Sequence, residues 1–378
     1  MSRLRQVLAL WLLVLLVAGS EPSSHLTSAL NQRAIEIFRQ LGSPQQSSSF
    51  CPASLWFLLA ALEVGSGPPD DATLGRFLKL PSPVQPQLRR WESGLRSGKG
   101  FRSSSSFWHA LTAPLQGDFQ ALLDRHQRVD FSQPVRVCAS VNQWANQATE
   151  GKIPELLVPG DLVGAEALLI NAVLLKAKWQ HPFDRARTNE GEFWRADGTV
   201  VRVPMMFQEG LFRRVSSSEV EGLLLDYSAD LGWSYLALKP STGRSLEQLE
   251  SQLEWAQLQA WLASAEATQL RCRLPRYRTS SRLDLTTVLK SGPLESYFKP
   301  GVNLGKISSG AAGLYISAMF QDVDLEVDES GTTAAAATVA VMTRGIAETI
   351  SFHRPFLYLL LHPGHKNRFM GRYVGPQR

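Results

Sequence analysis

An α+β fold, with helices laid over large sheets, is what the sequence predicts, and three stretches carry that prediction. Trp56 to Val64 is apolar nearly all round, the composition of a helix buried at the centre of a protein. Leu168 to Leu175 reads Leu-Leu-Ile-Asn-Ala-Val-Leu-Leu, which fits a central strand buried on both faces. Between the acids Glu326 to Glu329 and the base Arg344, the segment Gly331 to Thr343 carries neither charge nor proline. Its roughly 13 small or β-branched residues would span about 43 Å as a strand, enough to run the height of a large sheet. Thr332, Ala334, Ala336, Thr338, Ala340 and Met342 would then share one face. The alanines equally suit a short surface helix, whereas Thr332, Thr333, Thr338, Val339 and Val341 favour strand.

In chain order, Leu26 to Leu41 sets Leu30, Ile35, Ile37 and Phe38 among polar residues, an amphipathic helix stopped by Gly42-Ser43-Pro44. Ser49-Phe50-Cys51-Pro52-Ala53-Ser54 leads into the buried helix. Thr73 to Leu80 reads as a short helix stopped by Pro81 and Pro83. Ser103 to Leu115 reads as a strand in which His109 is packed rather than catalytic, and Phe119 to His126 as a helix. Val137 to Gly151 is a helix with Trp144 on its apolar stripe and Gly151 at its C-terminal end. Strands are expected at Val201 to Met206 and within Gly222 to Leu238, and a helix at Leu246 to Leu262. Phe356 to His362 and Arg368 to Val374 form two closing strands around a Pro-Gly turn.

With 378 residues, 44% of them hydrophobic and 19% charged, the chain can bury a large core. No Pro, Gly or Ser-rich linker and no repeat divides it, so one large domain is as consistent with the pattern as two. At the N-terminus Arg3 and Arg5 precede the apolar run Val7 to Val17 and then Ala18-Gly19-Ser20. That order is a secretory signal peptide, expected over residues 1–20, and the run is too short for the roughly 20 residues of a membrane span. A secreted, extracellular protein with no membrane partner is expected. No Asn-x-Ser/Thr sequon occurs, so N-linked glycan is not expected.

The net charge is +5. Arg89, Arg90, Arg96, Lys99 and Arg102 form one basic stretch, and Arg271, Arg273, Arg276, Arg278 and Arg282 another. Each can be a solvated face; the functional alternative is a surface for a polyanion such as a heparin-like glycosaminoglycan. With a secretory leader, nucleic acid is not an expected partner. Cys51, Cys138 and Cys272 are too few and scattered for a disulfide framework or a zinc site, and are expected to pack as small hydrophobes. His362 and His365 lack a third ligand and read as solvated turn residues. No nucleophile elbow, dinucleotide fingerprint, P-loop or zinc-protease motif occurs, so the chain is not expected to be an enzyme or to need a cofactor or metal.

Glu326-Val-Asp-Glu-Ser-Gly331-Thr, the alanine run closing in Thr338, Arg344 and the distal Arg354-Pro355-Phe356 together resemble the hinge and reactive-centre loop of the serpins. Further motifs stand in the right order. Cys51-Pro52-Ala53-Ser54 is similar to the family's Ser-Pro-x-Ser, and Asn142-Gln143-Trp144 with Thr149-Glu150-Gly151-Lys152-Ile153 to its helix over the main sheet. Asn171 and Trp179 match its central strand, and Leu274 to Tyr277 with Leu283 to Leu289 its strand and helix before the loop. Phe369-Met370-Gly371-Arg372 matches its closing strand.

The resemblance implies a single domain over 21–378: a large central sheet A and two smaller mixed sheets, with about eight or nine helices and an exposed reactive loop at about 329–354. It implies a monomeric suicide substrate, cleaved in that loop by a serine protease, that traps the acyl-enzyme as the hinge inserts into the sheet. Gly331, Thr332, Ala334, Ala335, Ala336, Ala337 and Thr338 meet the hinge's need to enter without charge or proline. Counting seventeen residues from Glu329 puts Gly345 before the scissile bond; counting back from Phe352 and Pro355 puts Arg344 there. Arg344 is preferred, because trypsin-like proteases hold arginine on a buried aspartate. In the sheet-opening region Cys51 replaces the family's serine and Gln321 its histidine, beside Ser54, Asn171 and Trp179, and Gln321 is expected to pair with Asn171. The alternative is a non-inhibitory member acting as a ligand carrier or chaperone.

Overall fold

The computed structural model describes residues 24–78, 100–115, 117–120, 123–308, 313–332, 347–362 and 366–376. In chain order its elements begin with helix α1 (Ser24–Phe38), strand β1 (Ser48–Phe50), helices α2 (Pro52–Gly65) and α3 (Thr73–Leu78), strand β2 (Phe101–Ala110), helix α4 (Gly117–Gln120), strand β3 (Arg125–Val129) and helix α5 (Pro134–Ala148). Strands β4 (Ala167–Leu175), β5 (Ala177–Lys178), β6 (Asn189–Trp194), β7 (Val200–Ser216), β8 (Val220–Asp226) and β9 (Ser234–Pro240) follow. Helices α6 (Leu246–Gln252) and α7 (Trp255–Ala263), strands β10 (Glu266–Pro275) and β11 (Tyr277–Asp284), and helix α8 (Leu285–Lys290) come next. The last strands are β12 (Ala318–Val327), β13 (Gly331–Thr332), β14 (Glu348–Ser351), β15 (Phe356–His362) and β16 (Lys366–Tyr373).

Among the described residues the central sheet has five strands in the order β11-β12-β4-β2-β3. All nine residues of β4 are buried. Leu168, Ile170 and Ala172 join Val141 and Trp144 of α5 in one core, while Leu169, Val173 and Leu175 join α2 in the other. This is the two-residue period of a strand covered on both faces. Helix α2 is buried from Pro52 to Glu63, as its all-round apolarity predicts, and it packs between β4 and β16. Pro52 sits in its first turn, where a missing N–H leaves no helix bond unmade. Among the described residues a second, nine-stranded sheet follows the path β1-β16-β15-β9-β8-β7-β10-β14 with β6 on the 17-residue β7, and β13 pairs with β5 as a two-stranded sheet.

Three expectations are corrected. Phe119 to His126 is not one helix, because β3 starts at Arg125 and pairs parallel with β2. Leu246 to Leu262 is broken at Leu253–Glu254 into α6 and α7. Helix α5 ends at Ala148 rather than Gly151, because Glu150 (φ 53°) and Gly151 (φ 82°) take left-handed conformations. Residues 79–80 of the third predicted helix lie outside the described residues. Among the described residues no helix is long and apolar enough to cross a membrane.

Candidate functional site

Insertion of a strand into the central sheet would have to separate β12 from β4. They pair in parallel from Ala318 opposite Leu168 to Asp324 opposite Leu174. Just beyond, the chain leaving β12 turns back at Glu329–Ser330: Asp328 N–H donates to Gly331 O (2.9 Å) and Gly331 N–H to Asp328 O (3.2 Å). Gly331 and Thr332 then lie antiparallel on β5, opposite Lys178 and Ala177. The first two hinge residues are thus docked at the mouth of the seam. Gly331 has φ 132°, and a Cβ there would strike backbone atoms of Ala177 and Lys178. Only glycine fits this approach.

Trp179 holds the turn from the β5 side. Its backbone N–H donates to Ser330 O (3.0 Å) and its indole Nε1–H to Asp328 O (2.9 Å). The indole is buried and stacked on Tyr227, with centroids 4.5 Å apart and planes 6° apart. Glu329, 2% exposed, accepts from Thr188 Oγ1 (2.7 Å), and Arg276 Nη1 lies 3.6 Å from its carboxylate. A cleft of about 660 Å³, lined in part by Arg185, Glu190, Arg276, Glu326 and Glu329, opens beside this turn. Burial raises the Asp328 carboxyl above its usual range, although Ser330 and Gly331 donate N–H groups to it. Asp328 lies within the Glu326-to-Thr332 motif but has no separate role in the sequence, and Thr188 and Tyr227 are local to no motif; the three meet only through the fold.

Lower in the seam, Gln321 and Asn171 are strand partners, but their side chains do not pair, which corrects that expectation. Gln321 reaches α2: its Oε1 accepts from Cys51 N (2.7 Å), and its Nε2 donates to Cys51 O (3.0 Å) and Ser54 Oγ (2.8 Å). Asn171 reaches β2, donating from Nδ2 to Ser103 Oγ (2.9 Å), Ser105 Oγ (3.1 Å) and Ser104 O (3.2 Å). Because Cys51 contributes backbone atoms, the serine-to-cysteine departure leaves this network intact. All three cysteines are free and buried, and burial pushes the Cys51 thiol up to about 11. His109 is packed as expected, and burial lowers it to about 4.

The second basic stretch is not one surface. Arg271 and Arg273 belong to β10, while Arg278 and Arg282 belong to β11 of the other sheet. Most of its charge is matched: Arg271 pairs with Glu209 (3.2 Å), Arg278 with Asp324 (2.7 Å) and Arg282 with Asp161 (2.5 Å). Of the first basic stretch, Arg102 pairs with Glu150 (2.8 Å), whereas Arg89, Arg90, Arg96 and Lys99 lie outside the described residues. So do Ala334, Ala335, Ala336, Ala337, Thr338, Arg344, Gly345 and His365.

These features define an α+β protein in which the turn after β12 docks Gly331 and Thr332 on β5. The family model described as Serpin (serine protease inhibitor) matches residues 28–376, and the chain belongs to the serpin family. It is 28% identical over 346 residues to the plasma serine protease inhibitor of Homo sapiens, covering 86% of this chain and 84% of that protein. Native protease nexin-1 with heparin superposes with a TM-score of 0.84 at 22% identity, covering 93% of this chain and all of that one. Thyroxine-binding globulin complexed with thyroxine superposes with a TM-score of 0.83 at 21% identity, covering 94% and 100%. At those identities both structures speak for the fold alone.

Proposed function

We propose that the protein is a secreted inhibitor, not an enzyme, that traps trypsin-like serine proteases as a suicide substrate. The observation that carries this reading is the docking of Gly331 and Thr332 on β5 at the mouth of the β12–β4 seam. Behind them in sequence come Ala334 to Ala337 and Thr338, with no charge or proline to bury. A buried unpaired charge there would cost several kcal/mol. After cleavage the freed segment would extend this short ladder down the seam, adding one hydrogen-bonded strand to the five. Arg344 is the residue offered to the protease and Gly345 follows it. On this reading residues 1–20 are the signal peptide and 21–378 a single, monomeric domain. Of the basic residues, Arg89, Arg90, Arg96, Lys99 and Arg102 are the proposed contact for a heparin-like polyanion.

The test is to mix the secreted protein with trypsin and a panel of trypsin-like proteases and to analyse the products by denaturing gel and mass spectrometry. The expected result is a covalent complex with the inhibitor cut after Arg344, and cleaved inhibitor that melts well above the intact form. Clean cleavage with no complex and no gain in heat stability would overturn the trapping mechanism. That outcome favours a non-inhibitory carrier or chaperone.

A further inference from the structure

The turn that follows α5 lies across the seam between β4 and β12 and is anchored on both sides of it. On one side Glu150 accepts from Arg102 Nη1 of β2 (2.8 Å) and from Lys176 Nζ, the residue between β4 and β5. On the other side, two residues further on, Lys152 Nζ pairs with Glu326 Oε2 of β12 (2.9 Å). The Lys152 carbonyl also accepts from Arg278 Nη2 of β11 (3.1 Å), and Arg278 in turn holds Asp324 of β12 (2.7 Å). Glu150 and Gly151 are fixed in left-handed conformations, and Gly151 N–H closes the turn onto Asn146 O (2.8 Å). This short, shaped turn is therefore a bridge from one half of the sheet to the other.

We propose that Glu150-Gly151-Lys152 is a staple across the sheet-opening seam, and that releasing its Lys152–Glu326 side sets the rate at which a strand can enter. This rests on the insertion reading above. A new strand between β4 and β12 would move them apart by about 4.8 Å, one strand spacing. Residues 150 and 152 are at most about 7 Å apart even when fully extended. With only one residue between Glu150 and Lys152, that separation strains their side-chain pairs to the two halves of the sheet, and the weaker one is released before or during insertion. The Lys152–Glu326 side is the one that yields, because it is a single ion pair, whereas Glu150 holds two cations of the β2–β4 half, Arg102 and Lys176.

The experiment uses the full-length secreted protein and a synthetic peptide of residues 332–345, whose entry into the sheet is followed by native gel and by gain in melting temperature. The variants are Lys152→Gln, Glu326→Gln, the double variant, and Lys299→Gln, which removes a surface pair with Glu295 remote from the seam. Each staple variant should take up peptide about 2- to 5-fold faster, in the range for release of one partly exposed ion pair. The double variant should match the singles, because both remove the same interaction, and Lys299→Gln should match the parent. Melting of the peptide-free variants checks folding, and either single variant alone suffices if the other is unstable. Peptide uptake at the parent rate or slower in both single variants, or additive effects in the double, would overturn the staple while leaving insertion standing. No uptake by the parent or any variant would overturn insertion and the staple together.

Discussion

A Cβ atom on Gly331 would lie 2.2 Å from the carbonyl oxygen of Ala177. The same atom would be 2.6 Å from Lys178 Cα and Trp179 N, and none of these backbone atoms can rotate away. With φ at 132°, a side chain here also meets backbone strain of about 1–3 kcal/mol. Gly331→Ala should therefore lower stability to denaturant by about 2–4 kcal/mol and undock Gly331 and Thr332 from β5. Hydrogen exchange of the Trp179 and Gly331 amides, set against the unfolding midpoint, is the check. An unchanged midpoint with both amides still protected would refute the close approach.

Gln321 joins β12 to α2 through three hydrogen bonds, two of them to the Cys51 backbone. Gln321→Ala would leave a buried N–H, carbonyl and hydroxyl without this partner, at a cost of roughly 1–3 kcal/mol for the least compensated group. Cys51→Ser keeps every one of those bonds and should change stability by less than about 1 kcal/mol. Paired denaturation curves decide: equal losses for the two variants would mean that the Cys51 side chain, not its backbone, carries the contact.

The parts of this fold legible in the sequence are those whose burial leaves a local period. β4 reads as a two-faced strand because its residues alternate between the α5 and α2 cores without a polar face. β3 does not read, because it is an edge strand on which only Val129 is fully buried, so Phe119 and its neighbours impose a helical period on it. The break between α6 and α7 is equally hidden, since it is held by α1 and the residue after it: Arg39 donates to Glu250 O (2.8 Å), and Gln32 Oε1 accepts from Trp255 N (2.8 Å). At the site, Gln321 and Asn171 can be placed side by side from sequence. Their divergent hydrogen bonds depend on where Cys51 and Ser103 arrive from elsewhere in the chain.

The three thiols should be silent in the native protein. Cys51 and Cys272 are fully buried, and burial raises them to about 11 and about 12. Burial also raises Cys138, with Asp161 adding to it. Since the thiolate is the reactive form, a thiol reagent at pH 8 should label none within minutes and all three once the chain is denatured. Rapid native labelling of one cysteine, located by mass analysis, would show that its segment opens without denaturant.

Stability against pH should expose a buried acid opposed by a buried base. Asp322, 3% exposed, is raised from 3.8 to about 7, first by burial and then by Asp324, with Arg282 acting the other way. The native state holds a proton on it that the unfolded chain has released, so its contribution is full below about 4 and is lost as pH rises to about 7. His109 is lowered from 6.5 to about 4 by burial, and the unfolded chain binds the proton first. Its contribution is therefore full above 6.5 and is lost as pH falls to about 4. Across their shared window the two slopes have opposite signs and largely offset. Asp322→Asn removes the falling slope alone, so its stability relative to the parent should grow by a few kcal/mol between pH 4 and 7 and then level off. Denaturant unfolding of parent and variant at half-unit pH steps measures that difference directly. A difference that stays constant across the window would mean that Asp322 is ionised in the folded protein as readily as in water.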